Sequence, residues 1–199
     1  MDKQILIFLD REFGSGGHNL AKEFARRLNI PYYDYNILDE MFKDDPELAL
    51  LLAKYDDKPA GMFVTRHIRG YTNSIEENLM LMQFDFIREK AEKGESFVVV
   101  GRCAEYILDD FSNLISIFVT ADFDDRVKRV MERESKTNGE AVKKIKRIDE
   151  MHRRGFDKLS GKKWGASQCY DLCIDSTGQD LNELVDVLMP YIEMRIKNS

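Results

Sequence analysis

The residues best suited to chemistry lie in a glycine-rich stretch near the N-terminus, where Gly14, Gly16 and Gly17 follow the apolar run 5–9. Glycine tolerates positive φ and lets the backbone approach a ligand closely. A strand, a glycine-rich turn and a helix in this order can point successive backbone N–H groups at an anion. The stretch therefore predicts a phosphate-binding turn, and the alternative is a tight turn with no ligand.

The stretch does not match the standard phosphate-binding loop, which reads Gly, four residues, Gly, Lys and then Ser or Thr. With the second Gly placed on Gly16, Arg11 stands at the first Gly. Gly17 then occupies the Lys position, and His18 the position of Ser or Thr. Arg11, at the start of the loop, is the candidate to replace the charge of the Lys. A surface salt bridge, for instance with Glu12, is the alternative for Arg11.

The polar residues of the stretch are weak candidates for holding a metal ion directly. His18 is a poor replacement for a hydroxyl on a hard cation such as Mg²⁺. A lone His at a helix start is more often a hydrogen-bonded or exposed side chain than a ligand. Asn19 or Asp10 could instead orient water bound to a metal, and no residue is assigned as a direct metal ligand. The predicted phosphate-contacting residues are Gly14, Ser15, Gly16, Gly17, His18 and Asn19.

Apolar runs alternate with amphipathic segments along the whole chain, which indicates a mostly parallel α/β sheet. Runs that are apolar throughout are typical of strands buried on both faces. Segments with apolar residues at helical spacing are expected to cover the sheet. The expected strands are residues 5–9, 32–34, 97–100, 114–119 and 170–175.

Two polar residues lie at the ends of expected strands. Asp34 closes the segment 32–34, and Arg102 comes two residues after the run 97–100. Ligands of open α/β sheets bind at the carboxyl ends of the strands. We therefore predict Asp34 and Arg102 on the same edge as the glycine turn, with Arg102 contacting a phosphate. A salt bridge without a ligand is the alternative for Arg102.

The charge of the chain is unevenly distributed. Residues 143–163 hold nine Lys or Arg against three acids, so this segment carries +6, and the rest of the chain carries −12 of the total −6. A basic island on an acidic protein suggests a small anionic ligand rather than a long polyanion. A solvated helix face is the alternative. RNA binding through this segment is the least favoured interpretation, because the remainder is acidic and aromatic residues are not interleaved.

The composition is that of one globular domain with a sizeable core. The chain has 199 residues, of which 43% are apolar and 33% charged. No apolar run approaches the roughly 18 residues that a membrane helix requires, and the N-terminus does not resemble a secretory leader. The three cysteines lack zinc-type spacing and are interpreted as reduced thiols of a cytoplasmic protein.

Four segments, in this order, resemble the cytidylate kinase-like family, a divergent relative of the bacterial cytidylate kinases in the P-loop kinase superfamily. The resemblance spans almost the whole chain apart from residues 44–75. The segments are Arg-Glu-Phe-Gly-Ser-Gly-Gly at 11–17, Val-Gly-Arg-Cys-Ala-Glu-Tyr-Ile-Leu at 100–108, Gly-Lys-Lys-Trp-Gly at 161–165 and Tyr-Asp-Leu-Cys at 170–173.

The resemblance implies an α/β, three-layer P-loop kinase-like fold with a five-stranded parallel sheet. Residues 1–199 would form one domain, with an insertion of the NMP-binding type at about 35–75 and a basic helical lid at about 136–168. The implied activity is transfer of the terminal phosphate of ATP to a nucleoside monophosphate or similar small acceptor. A requirement for Mg²⁺ stays open, because the usual hydroxyl is absent.

The resemblance also implies roles for individual residues. Arg102 matches the Arg of the Gly-Arg-Asp motif, in which Arg and Asp contact the acceptor, whereas Cys103 replaces the Asp and leaves cytosine specificity open. Asp149 matches the start of an Asp-x-x-Arg element whose Arg is either replaced by His152 or displaced by one position to Arg153. An Asp149–Arg153 pair on one helical face could orient Arg153 toward a phosphate. The implied catalytic residues are Arg11 and Arg153, and the implied substrate-binding residues are Asp34, Arg102 and Asp149.

Two functional hypotheses remain after the sequence is considered. The first is a small-molecule phosphotransferase, for which Arg11, Arg102 and Arg153 should converge on one cleft beside the glycine turn. The second is a nucleotide- or anion-binding protein of the same fold with little or no kinase activity. The retained glycines, Arg102 and the basic lid favour the first, and the missing Lys and hydroxyl favour the second. The oligomeric state is not indicated.

Overall fold

The computed structural model describes residues 3–34, 37–56 and 75–198 of the chain. Its strands are β1 (Leu6–Arg11), β2 (Tyr32–Tyr33), β3 (Phe97–Val100), β4 (Leu114–Thr120) and β5 (Leu172–Asp175). They form one five-stranded sheet in the order β2-β3-β1-β4-β5, and every pairing is parallel. The predicted α/β class with a five-stranded parallel sheet is therefore confirmed.

Eight helices in the described ranges alternate with these strands. None of these helices is long and apolar enough to cross a bilayer. Parts of the predicted insertion, residues 35–36 and 57–74, lie outside the described residues. The helices are α1 (Gly17–Leu28), α2 (Ile37–Met41), α3 (Pro46–Asp56), α4 (Ile75–Glu92), α5 (Ala104–Ile107), α6 (Phe123–Glu134), α7 (Asn138–Ser160) and α8 (Leu181–Asn198).

Strand β1 is the centre of the fold because it is covered on both faces. Leu6 and Phe8 belong to the core on one face, and Ile7 and Leu9 to the core on the other. Side chains of a strand point alternately to its two sides, so an uninterrupted apolar run places two layers of helices around it. The first face receives residues of α2, α4, α5 and α7, and the second receives residues of α1 and α8.

Helix α7, the main element of the predicted lid, is anchored at both of its ends. It starts with a capping box in which Thr137 and Glu140 bond each other reciprocally. Near its start, Ala141 and Ile145 pack against α6 in a separate small cluster. Near its end, Phe156 is buried in the core beside the sheet. The helix therefore connects the packing of α6 to that of the main core.

The carboxyl ends of β1, β3 and β4 lie side by side. Leu9 pairs with Val100 on β3, and Arg11 pairs with Val119 on β4. The N–H of Gly101 continues this ladder by donating to the carbonyl of Leu9 at 3.0 Å. The glycine turn after β1 and the Gly-Arg turn after β3 therefore begin at the same edge of the sheet.

Asp171 ties the start of β5 to β4 and α8. Its carboxylate accepts hydrogen bonds from the N–H and the hydroxyl of Ser116 at 2.8 and 3.0 Å, and it lies 2.7 Å from Nη1 of Arg195. Burial acts to raise the pKa of Asp171, but the bonds from Ser116 and Arg195 outweigh it and hold the pKa below its ordinary value. The charged carboxylate is therefore the stabilising form.

Replacing Asp171 by Asn should lower the free energy of unfolding by about 1–3 kcal/mol at pH 7. A carboxyl group whose pKa is depressed by folding stabilises above its unfolded pKa and loses this effect as the pH falls through the folded pKa. The difference in the free energy of unfolding between wild type and D171N should therefore narrow below about pH 4. Urea titration at several pH values measures this difference. Asp186→Asn, at an exposed carboxylate, is the control and should change little. A D171N gap that is independent of pH would contradict this prediction.

Candidate functional site

The glycine turn between β1 and α1 has a backbone that side chains would disturb. Gly14 and Gly16 have φ values of 86° and 87°, in the left-handed region that favours glycine. A Cβ atom on Gly17 would lie 2.7 Å from Cβ of Arg11 and 3.0 Å from Cδ2 of Leu9. The cap residue Gly16 offers no side chain to the first N–H groups of α1, and such groups favour an anion.

The first half of the turn is held by a buried ion pair that lies behind it. Asp149 on α7 accepts a hydrogen bond from the N–H of Phe13 at 2.8 Å and one from Nη1 of Arg126 at 2.7 Å. Both charged side chains are buried. The ring of Phe13 lies beneath Arg133 and Lys144, whose charged groups are 5.1 and 5.2 Å from the ring centroid. The turn is thereby fixed to α6 and α7.

The second half of the turn is held by Arg129 of α6 and by Ser176 in the loop after β5. The carbonyl of Ser15 accepts hydrogen bonds from Nη1 of Arg129 at 2.9 Å and from the hydroxyl of Ser176 at 2.5 Å. The hydroxyl of Ser15 is itself fully buried and has no hydrogen-bond partner among the described residues. An unpaired buried polar group is unfavourable, so this hydroxyl is a candidate contact for a ligand in the turn.

Asp34 lies beside the first turn of α1 and holds His18. Oδ2 of Asp34 is 2.7 Å from Nε2 of His18 and accepts a hydrogen bond from Tyr32 at 2.7 Å. Burial holds the pKa of His18 below its ordinary value. The charge of Arg11 also lowers this pKa, whereas the charge of Asp34 acts to raise it. His18 is thus a hydrogen-bonded side chain, as its position at a helix start suggested, and Asp34 is its partner.

Asp10 is bonded by residues far away in the sequence. Its buried carboxylate accepts hydrogen bonds from Nε1 of Trp164 at 2.7 Å, from the hydroxyl of Tyr170 at 3.3 Å and from the N–H of Arg11 at 2.9 Å. Burial raises the pKa of Asp10. Because protein groups engage both oxygens, Asp10 does not fit the role of orienting metal-bound water.

Arg11 reaches from the end of β1 to the end of β3. A Cβ atom on Gly101 would lie 2.9 Å from Nη1 of Arg11. Arg11 is not paired with Glu12, which instead accepts a hydrogen bond from Thr120 and lies 3.7 Å from Nε of Arg126. Nη1 of Arg11 lies 3.7 Å from Oδ1 of Asp10, so the salt-bridge alternative is found with a different acid. The guanidinium of Arg11 therefore lies against the Gly-Arg turn.

The Gly-Arg turn contains three successive residues in left-handed conformation. The φ values are 67° at Gly101, 59° at Arg102 and 50° at Cys103. Each residue other than glycine costs about 1–2 kcal/mol in this conformation, and such strain is concentrated at functional sites. Arg102 directly follows Gly101, against which the guanidinium of Arg11 lies.

The third predicted arginine has a different environment. Arg153 is exposed, and its Nη1 donates a hydrogen bond to Oε2 of Glu150 at 3.0 Å. Its guanidinium lies 5.8 Å from the centroid of the Trp164 ring. The expected Asp149–Arg153 pair is wrong, because the buried Arg126 and the N–H of Phe13 occupy the two oxygens of Asp149. Arg11 and Arg102 thus share a neighbourhood, whereas Arg153 borders it at the surface.

Residues 6–178 match the family model that describes the cytidylate kinase-like family. The chain belongs to the cytidylate kinase-like family. A cytidylate kinase of Pyrobaculum neutrophilum is 24% identical over 188 residues, which cover 94% of this chain and 92% of that protein. The crystal structure of an uncharacterized protein from Eubacterium ventriosum is 38% identical with a TM-score of 0.75, covering 96% of this chain and 99% of that one. A shikimate kinase from Bacteroides thetaiotaomicron shares the P-loop kinase fold, at 18% identity and a TM-score of 0.55, covering 95% and 98% of the two chains.

The family segments 11–17, 100–108 and 161–165 lie at this edge of the sheet, and Tyr170 of the fourth segment reaches it with its hydroxyl on Asp10. The Gly-Lys-Lys-Trp segment contacts this edge at two points. Nε1 of Trp164 donates a hydrogen bond to Asp10, and Nζ of Lys162 lies 2.5 Å from Oε1 of the buried Glu105. No motif marks Arg126 and Arg129, which bind the two sides of the glycine turn. Their spacing of three residues, which places both on one face of an amphipathic helix, is the feature of the sequence that could have pointed to them.

The residues of this cytidylate kinase-like protein fit a phosphate better than a directly bound Mg²⁺ ion. The glycine turn and the buried hydroxyl of Ser15 suit an anion. In contrast, no group of three or more His, Cys, Asp or Glu within the described ranges is placed to hold a metal. His18 stands at the position of the usual hydroxyl and is held by Asp34. The side chains of the described residues thus offer no ready magnesium site.

Replacing Asp149 by Ala should lower the free energy of unfolding by about 3–5 kcal/mol, because Arg126 would remain buried without its partner. Glu150→Ala is the matched control on the neighbouring residue. It removes the two surface ion pairs with Arg153 and Arg154 and should cost no more than about 1 kcal/mol. Chemical denaturation of both variants without ligand measures the difference. Equal losses in the two variants would show that the buried pair does not hold the turn.

Proposed function

We propose that this chain is a phosphotransferase that transfers the terminal phosphate of ATP to a nucleoside monophosphate or a similar small phosphorylated acceptor. The observation that carries the proposal is the position of the Arg11 guanidinium against Gly101, which places Arg11 at the Gly-Arg turn and beside the glycine turn. Phosphoryl transfer depends mainly on positioning the two substrates and on stabilising the charge of the transferred group. Two guanidinium groups next to a backbone anion site supply both.

On the donor side, the glycine turn would receive the β- and γ-phosphates of ATP through its backbone N–H groups. Arg11 would supply the positive charge that a Lys contributes in the standard loop. A guanidinium can bond two phosphate oxygens at once. This assignment is supported by the position of Arg11 at the start of the turn and by its reach to Gly101.

On the acceptor side, Arg102 would bind the phosphate of the acceptor. The left-handed turn at 101–103 supports this role, because the folded chain retains a strained backbone there. Burial raises the pKa of Cys103 to about 12, so its thiol stays neutral at physiological pH. Cys103 therefore cannot supply the negative charge of the Asp it replaces, and cytosine need not be the preferred base.

A second candidate function is nucleotide binding with little or no turnover. It is favoured by Gly17 and His18 at the positions of the usual Lys and hydroxyl. His18 is also occupied by Asp34. This candidate keeps the anion site and both arginines but lacks the side chains that normally contact the γ-phosphate and the metal.

The deciding experiment combines a binding measurement with a turnover measurement. Thermal shifts with ATP and with each nucleoside monophosphate, with and without Mg²⁺, report binding, because a ligand of the native state raises the melting temperature. Chromatography of the same mixtures reports ADP and the nucleoside diphosphate. We expect both a shift and turnover. A shift without turnover would select the second candidate, and the absence of any shift would refute both.

Replacing Arg102 by Gly should separate stability from function. The ligand-free protein should gain about 1 kcal/mol because a left-handed residue becomes glycine. Turnover should fall by about 10²–10³-fold because a positioned cationic donor is lost. Ser135→Gly is the matched control, since Ser135 has a φ of 51° outside this site. It should gain similar stability and keep wild-type kcat/KM. Unchanged turnover in R102G would remove Arg102 from the mechanism.

Replacing Gly101 by Ala should displace Arg11, because the new Cβ atom would lie 2.9 Å from its Nη1. Gly94→Ala is the matched control. Gly94 also has a positive φ of 77°, but a Cβ atom there would meet nothing within 4 Å. Both variants should lose about 1–2 kcal/mol of stability through backbone strain, whereas only G101A should weaken the thermal shift caused by ATP. Equal ATP responses in the two variants would contradict this role of Arg11.

A further inference from the structure

His152 of α7 has a buried ring nitrogen whose partner is missing. Its Nδ1 is buried and makes no hydrogen bond within the described part of the chain. The imidazole packs edge-on against Trp164, with the ring centroids 6.1 Å apart. Trp164 is in turn bonded to Asp10. The ring of His152 is thus held at the carboxyl edge of the sheet with one polar atom unsatisfied.

The surroundings of His152 keep the imidazole neutral. Burial lowers the pKa of His152 to about 3, and the charges of Arg11 and Arg102 contribute to the shift. A neutral imidazole carries one N–H donor and one acceptor nitrogen. Two nearby guanidinium groups repel any cation that could approach Nδ1. In the tautomer that carries the N–H on Nδ1, the missing partner is an acceptor, and the positive charges of the two arginines favour an anionic oxygen.

We propose that Nδ1 of His152 donates a hydrogen bond to a phosphate oxygen of the acceptor at the carboxyl edge of the sheet. This inference rests on the proposed function and adds a neutral donor to its phosphate site. Two guanidinium groups balance a dianionic phosphate ester. A neutral third donor adds a directional bond without placing a third cation in the empty site, where like charges repel.

The variants His152→Leu, His152→Gln and His152→Asn distinguish a ligand contact from a packing role. Leu removes both ring nitrogens, Gln keeps an amide near the place of Nε2, and Asn keeps an amide near the place of Nδ1. We expect H152L to melt at a higher temperature than wild type without ligand, because an unpaired buried polar group is removed. With CMP as the probe, H152L and H152Q should bind about tenfold more weakly or worse, and H152N should stay within about threefold of wild type.

A nuclear magnetic resonance measurement makes the test independent of these substitutions. The chain has three histidines, and the signals of His152 are assigned by their loss in H152N. In protein labelled with ¹⁵N at histidine, saturating CMP or inorganic pyrophosphate should shift the Nδ1 signal of His152. Lys158→Gln, at an exposed position of the same helix, is the control and should retain both the shift and the affinity.

The outcomes separate this inference from the proposed function. If CMP binds to wild type and to H152L equally while the Nδ1 signal stays unchanged, the His152 contact is wrong and the proposed function stands. The same result is expected if an ordered water is the missing partner, so it counts against the inference. If neither nucleotides nor pyrophosphate raise the melting temperature of wild type, the proposed function fails and the inference falls with it.

Discussion

The buried ion pair between Asp149 and Arg126 is the interaction on which the geometry of the site depends. It joins α6 to α7, and the second oxygen of the carboxylate accepts the N–H of Phe13 in the glycine turn. Because the loss of either partner would leave a charge buried and unpaired, the two helices and the turn are expected to hold one arrangement. Arg129 extends the same attachment to the other half of the turn through the carbonyl of Ser15. The turn is thus positioned by side chains of α6 and α7 as well as by its glycines.

The positive charge of the site comes from separate elements rather than from the basic island. Arg11 ends β1 and Arg102 follows β3, and neither belongs to residues 143–163. Within that segment, Arg153 and Arg154 form ion pairs with Glu150 at the surface. Other cations of the segment pair with acids elsewhere, such as Lys144 with Glu134 and Lys162 with Glu105. These contacts favour the solvated and paired helix face that was the alternative interpretation of the island, while Lys162 also helps to close the site.

The sequence predicted the architecture better than the contacts within the site. The runs at 97–100 and 114–119 are apolar at every position or nearly so, and only a buried strand suits such a pattern. The carboxyl edge then followed from the rule for parallel sheets. The partner of Asp149 could not be predicted in this way. Helical spacing indicates which residues share a face of a helix, but it does not indicate which cation is buried next to the carboxylate of Asp149. Asp10 and Trp164 are 154 residues apart, and no local pattern relates them.

Three features that are unfavourable in the ligand-free protein occur at the same edge of the sheet. The hydroxyl of Ser15 and Nδ1 of His152 are buried without partners among the described residues. Arg102 is held in a strained left-handed conformation. The three have different physical origins, since two concern hydrogen bonding and one concerns the backbone, and they lie on three separate elements. Proteins retain local instability chiefly where function requires it. The proposed anionic ligand would accept from the two unpaired donors, and we therefore attribute these two groups to it rather than to independent defects in packing.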